Sequence, residues 1–300
     1  MGMRWGRLYF AVQAIAGLAW WIAVFLSPVV REATLGQLNP TVVAVFDMPL
    51  FVIASALAAF GVRPAAVVST GWTGVVTLGL ATYATVTTEA GWGVLAMGAA
   101  TVGSLSALCI ILFGRVPTEW LINGPFAFRS ATTRPKPARH VASTFGQIAV
   151  FWGLFLVVIP LVIAALEQRW RVGLPFPAFA IPLGVAVLLL ASTLGISSGV
   201  IMSTLGDGTP LPSAMANRLV IVGPYRWIRN PMAVSGFVQG VAVGLILESW
   251  LVVAYAVAGS LLWNYAVRPH EEADLEQRFG DEFRSYRDAV RCWVPQIPKP

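Results

Sequence analysis

The stretch GPYRWIRNPMAVSGFVQGVAVGLILESW (Gly223–Trp250) decides how the chain is read. Its later part, Met232–Leu247, is an uncharged apolar run, short against the ~20 residues of a usual membrane span. Its opening part, Gly223–Pro231, places two arginines, an aromatic pair and two prolines directly before that run. Irregular backbone beside a membrane is tolerated where it is buried in protein or lines a watery cavity. The backbone is therefore expected to turn away from lipid here and to receive a small charged molecule.

The rest of the chain sets this stretch in a membrane. Of its 300 residues, 57% are hydrophobic and 11% charged, and mean hydropathy is +0.74. Soluble domains carry about 25% charged residues, so most of this surface has to lie in lipid. Helices satisfy every backbone group internally, and the expected fold is an all-α, polytopic transmembrane helical bundle. Eight apolar runs are long enough to span: Leu8–Phe25, Val42–Val62, Ala65–Val86, Gly91–Phe113, Phe145–Leu166, Phe179–Met202, Met232–Leu247 and Trp250–Val267. The first follows Arg4 and Arg7 but lacks a small-residue cleavage site, and it reads as a retained anchor.

Basic residues orient the spans. With the N-terminus in the cytoplasm, only Arg31, Arg169 and Arg171 fall on the outer side. Both termini and the opening motif are then cytoplasmic, in a cell membrane. The net charge of +6 follows from this topology. No helix carries a dense basic face, which argues against a nucleic-acid partner. Cys109 and Cys292 form no CxxC or Cys/His spacing, and His140 and His270 stand alone, so no metal site is expected.

The polar connection Arg115–Thr144, with its Pro/Arg linker TTRPKPAR (Thr132–Arg139), is the best internal boundary. It divides a four-span region, 1–140, from a C-terminal core, 141–300. The first region shows little polar chemistry. Asp47 and Glu89 sit near span ends and are expected to face the interface, with Asp47 capping the turn before Met48-Pro49. Gly71, Gly74, Gly79, Gly98 and Gly103 suit close helix packing. The region's role is structural or substrate-shaping.

Chemistry concentrates in the second region. The loop Gly206–Pro231 is rich in proline, glycine and arginine, and Asn217–Tyr225 is a short apolar stretch that can lay its peptide groups along a ligand. Gly236, Gly240 and Gly244 recur at intervals of four and give a smooth strip for a neighbouring helix. The short Glu248-Ser249 turn makes the last two spans a hairpin that returns the chain beside the motif. There, RPHEEADLEQRFGDEFRSYRDAV (Arg268–Val290) reads as an amphipathic cytoplasmic helix. It would start at Pro269, with Glu271 and Glu272 in its first turn. Leu275, Phe279, Phe283, Tyr286 and Val290 form its apolar stripe, suited to the membrane interface. Glu271 shares that inward face, where a cationic or zwitterionic ligand would explain a carboxylate.

GPYRWIRNPM, a helical hairpin, and then EEADLEQRFGDEFRSYRDAVRCWVP resemble, in that order, the integral-membrane methyltransferases of the isoprenylcysteine carboxyl methyltransferase and phospholipid methyltransferase superfamily. The resemblance covers Phe179–Pro298. It implies S-adenosylmethionine as methyl donor, held between 206–233 and 268–290, and a lipophilic acceptor such as an isoprenoid carboxylate or a lipid head group. By position it places Asn217, Arg218, Leu219 and Val220 along the adenosine, Tyr225 against the cofactor, and Asn230, Pro231, Met232 and Ala233 in the turn beneath it. Glu271 would hold its polar part. Arg268 lies one residue from the family's substrate-contacting arginine. Asn230 stands where many members have His, and Ala233 where Tyr is common.

Methyl transfer from a sulfonium needs alignment more than acid–base chemistry. Arg226, Arg229 and Arg268 are the candidates for placing a carboxylate acceptor. Glu271, Glu272 or water would take a proton from an amine or thiol. A membrane NADPH-dependent reductase of the sterol-reductase type shares a similar hairpin and is the alternative. A transporter is disfavoured, because ionisable residues in mid-span and internal repeats are not evident.

Overall fold

The computed structural model describes residues 2–122, 145–146, 149–206 and 217–295. All regular structure among them is helical. In chain order the helices are α1 (Gly2–Leu26), α2 (Pro28–Leu35), α3 (Pro40–Ala59), α4 (Arg63–Thr87), α5 (Gly91–Phe113), α6 (Ala149–Arg169), α7 (Ala180–Leu205), α8 (Pro231–Ile246), α9 (Trp250–Phe279) and α10 (Asp281–Ala289). Seven of them, all but α2, α8 and α10, are long and apolar enough to cross a membrane. The remaining apolar run, Met232–Leu247, forms α8, whose 16 residues reach about 24 Å. The Thr132–Arg139 linker and residues 207–216 of the proline-rich loop lie outside the described residues.

Prolines shape the long helices. α3, α6 and α9 each contain a π-helical turn, at Met48–Ile53, Gly153–Val158 and Trp263–Val267. Pro49 lies within the first, and Pro160 and Pro269 follow the other two by two residues. Proline lacks an N–H and crowds the carbonyl four residues back. A local widening of the ladder absorbs both effects without ending the helix. This changes the expected tail: Pro269 does not start a separate helix, because α9 runs through it to Phe279. The chain breaks instead at Gly280, at φ 55°, and α10 follows. The stretch 268–290 is thus an extension of the last span plus one short helix.

The chain forms two compact units, Met1–Pro117 with Leu166–Val172, and Thr118–Ala165 with Gly173–Pro300. The first has a polar centre that sequence reasoning missed. Gln13 of α1 donates to Ser55 (3.0 Å) and Ser69 (3.1 Å) and accepts from Ser104 (2.9 Å). Ser55 and Ser69 also bond each other at 2.8 Å. The network joins α1, α3, α4 and α5 with its side chains buried. Removing one member of a buried network strands the others at about 1–3 kcal/mol. Gln13→Leu is accordingly expected to destabilise this unit by about that amount, read as a lowered Tm in detergent.

Asp47 is also placed differently from expectation. It is buried and neither faces the interface nor caps a turn: its two carboxylate oxygens accept from the indoles of Trp21 (2.8 Å) and Trp72 (2.7 Å). It pins α3 to α1 and α4. Glu89 stays in a connection, accepting from the Tyr83 hydroxyl at 2.6 Å and the Gln37 amide at 3.1 Å. Of the glycines expected to pack closely, Gly103 does, lying against the Tyr9 ring. A Cβ at Gly71, Gly74 or Gly79 would meet nothing within 4 Å.

In the second unit α8 packs against α7 and α9. A Cβ on Gly240 would come within 2.8 Å of Ala256, and one on Gly244 within 2.6 Å of Val253. Two of the three glycines in the strip therefore seat α9. The hairpin turn closes with Ser249 capping α9 by accepting from the Val252 amide at 3.1 Å.

Candidate active site

The loop before α8 starts where α7 ends. The Gly206 carbonyl accepts from the amides of Asn217 (2.7 Å) and Arg218 (3.1 Å), which ties the later part of the loop to the foot of the helix. Residues 219–222 then run without regular structure into Gly223, at φ 60°. A side chain there would face both a left-handed backbone and Ile201, 2.5 Å from its Cβ. The 3-10 turn Gly223–Arg226 that follows drives Tyr225 inward. Tyr225 is 4% exposed, and its hydroxyl donates to the Ser198 carbonyl at 3.3 Å.

The motif ends by starting a helix. The Asn230 side chain accepts from the Ala233 amide at 3.1 Å as N-cap of α8. Pro231 takes the first helical position, where its missing N–H costs nothing. Asn230 thus has a structural reason for its identity. Asn230→Ala should lower stability by about 1 kcal/mol, while Asn230→Asp, which keeps the cap, should not; thermal melts separate the two.

The C-terminal segment is tied to this loop. The Tyr286 hydroxyl donates to the Tyr225 carbonyl at 2.7 Å. The Arg229 amide donates to the Arg291 carbonyl at 2.9 Å. The Arg229 guanidinium reaches the carbonyls of Arg287 (2.9 Å) and Val290 (3.3 Å) and the Glu272 carboxylate (2.9 Å). Arg268 Nε approaches the same Glu272 oxygen at 3.8 Å. The neighbouring Glu271 makes no hydrogen bond or ion pair among the described residues.

These elements enclose a cavity of about 550 Å³, within the range of small-molecule sites. Arg218, Leu219, Val220 and Tyr225 border it from the loop, and Arg229, Asn230, Met232 and Ala233 from the start of α8. Arg268, Glu271 and Glu272 border it from α9. Asn217, Arg226 and Pro231 do not: the first two are exposed, and Pro231 is buried in the α8 terminus.

The cavity has a second, apolar half. Phe151, Trp152 and Phe155 of α6 face Phe237 of α8 and Tyr255 and Trp263 of α9 around it. Gly236, the third glycine of the strip, borders this space, and a Cβ there would meet nothing within 4 Å. Its value is room, not helix packing. The expected interfacial stripe also turns inward, with Leu275, Phe279, Phe283 and Tyr286 on the wall. Cys292 and Trp293 complete the lining, and Trp293 is held by donating to the Asn264 side chain at 2.8 Å. Neither carried a sequence signal.

Burial pushes the Tyr225 hydroxyl far up, with the Tyr286 and Glu271 charges adding to it. Burial likewise raises Tyr286. Both hydroxyls stay protonated and serve as donors. The Cys292 thiol is also raised by burial, against a hydrogen bond from Arg268, and is not a ready nucleophile.

Three comparisons bear on this arrangement. Residues 180–282 match the family model described as phospholipid methyltransferase. That segment holds α7, the motif loop, α8 and α9. No curated protein matches the chain significantly. Among solved structures, the chain aligns with one of a eukaryotic intramembrane Ras methyltransferase, isoprenylcysteine carboxyl methyltransferase. The alignment has 17% identity and a TM-score of 0.34, covering 98% of each chain. A likeness of that degree assigns no residue a role.

Proposed function

We propose that this chain, whose residues 180–282 match the phospholipid methyltransferase family model, is an integral-membrane methyltransferase that uses S-adenosylmethionine to methylate a lipophilic acceptor. The observation that carries the proposal is Glu271. It is a carboxylate with no hydrogen bond or ion pair among the described residues, on a protein-lined cavity, one residue from a glutamate paired with Arg229. Such a carboxylate fits a cationic ligand. Arg218 and Arg268, which border the same cavity, suit the carboxylate end of a zwitterion, and Arg268 Nε is buried without a hydrogen-bond partner. The residues present therefore fit the donor.

Bound there, S-adenosylmethionine supplies a methyl group already activated by the sulfonium. The protein's task is alignment and exclusion of water. Tyr225, rigid between Ser198 and Tyr286, shapes the wall. Glu271 orients the cationic part through charge. Glu272, paired with Arg229, keeps Arg268 in place for an acidic acceptor. An amine or thiol acceptor has to lose a proton, which passes to a bordering carboxylate or to water. The aromatic half bounded by α6, α8 and α9 suits the acceptor's hydrocarbon. The distribution of Lys and Arg supports a cytoplasmic site and cytoplasmic termini.

The test is transfer itself. Purified protein with tritiated S-adenosylmethionine and a total lipid extract should yield label soluble in organic solvent. Binding of NADPH without binding of S-adenosylmethionine would instead restore the reductase reading.

A further inference from the structure

We propose that Gln239 is a specificity residue for the acceptor. It accepts a hydrogen bond from a hydroxyl or N–H group that the acceptor carries in its lipid portion. The inference rests on the acceptor reading of the cavity's apolar half. Gln239 lies on the cavity wall between Gly236 and Gly240 and is 1% exposed. Its Nε2 donates to the Ser192 hydroxyl at 3.0 Å, which fixes the amide against α7. Its Oε1 is buried and has no partner.

Two hydroxyls on the same cavity wall are occupied. Tyr255 donates to the Phe155 carbonyl at 3.3 Å, and Ser260 to the Val257 carbonyl at 2.8 Å. Among the described residues, the buried side-chain polar atoms without a hydrogen-bond partner are Gln239 Oε1 and Arg268 Nε, and both residues border this one cavity. A buried orphan acceptor is rare in native proteins, and a ligand is one of the few reasons to keep it.

The two orphans call for opposite partners at different depths. Arg268 Nε, at the polar end, seeks an acceptor; Gln239 Oε1, in the apolar half, seeks a donor. Gln239 lies six residues into α8 from Ala233, which is about 9 Å along the helix. The fitting ligand is a lipid with a charged head and a hydroxyl or N–H set several bonds below it. A purely hydrocarbon chain would leave Oε1 unbonded.

The experiment measures lipid binding without any methyl donor. Purified protein in maltoside micelles is titrated with 1-oleoyl-lysophosphatidylethanolamine, whose glycerol hydroxyl is free, and with its 2-deoxy analogue. The hydroxyl lipid should bind about tenfold more tightly, the effect of one hydrogen bond to an otherwise stranded acceptor. Gln239→Leu should erase the difference by weakening the hydroxyl lipid, with S-adenosylmethionine affinity unchanged. Equal affinities in the wild type, no binding of either lipid, or a preference that survives in Gln239→Leu would each overturn the proposal. The wild-type comparison stands even if the variant fails to fold. Failure of the methyl-donor reading would show separately, as absent S-adenosylmethionine binding.

Discussion

Glu271→Gln is expected to weaken S-adenosylmethionine binding by about 10- to 100-fold while the protein stays folded. The loss corresponds to one interaction with a charged group, about 1.5–3 kcal/mol. The fold should tolerate the change because Glu271 makes no internal hydrogen bond or ion pair among the described residues. The substitution also removes a negative charge beside Glu272. Calorimetry on the purified variant, with a thermal melt as control, reads both quantities. An unchanged affinity would remove Glu271 from the site. Glu272→Gln should behave differently, lowering Tm as well, because Glu272 bridges Arg229 and Arg268.

Arg229→Ala is expected to release the C-terminal segment and cut methyl transfer by more than about 100-fold, the effect of misplacing a cavity wall. The side chain donates to two carbonyls and to Glu272, and it is largely buried, with 12% of its surface exposed. Its removal strands a carboxylate and frees the run that carries Cys292 and Trp293. Cys292, 8% exposed, reports this directly. In a Cys109→Ser background, a maleimide should label it slowly in the parent and at least tenfold faster in the variant. Arg229→Lys should restore little, because one ammonium nitrogen cannot replace Nη1 on the two carbonyls and Nη2 on Glu272 at once. An unaltered labelling rate in Arg229→Ala would contradict the tethering role.

Sequence reasoning reached the membrane fold because its cause is compositional. Eight apolar runs leave few alternatives, and the structure places a helix in each. The motif loop was legible for a similar reason: Gly223, Asn230 and Pro231 each answer a local backbone demand that can be recognised from residue type. What stayed hidden depends on which face meets which neighbour. The stripe Leu275–Tyr286 was visible, but periodicity does not say whether a stripe meets lipid or a cavity. Gly236 looked identical to Gly240 and Gly244, although it opens space where they close it. Gln13 and Ser104 are far apart in the chain, and their bond exists only once α1 and α5 are packed. Arg226 and Arg229 were equivalent as letters; the 3-10 turn sends one outward and the other into the tail.

The arrangement stands or falls on what lies between Tyr225 and Glu271. A structure determined with S-adenosylmethionine present tests it most directly. The account predicts ligand density in the 550 Å³ cavity, with its cationic part against Glu271 and its body along Leu219, Val220 and Tyr225. Density at any other place, or none at saturating ligand, would contradict it.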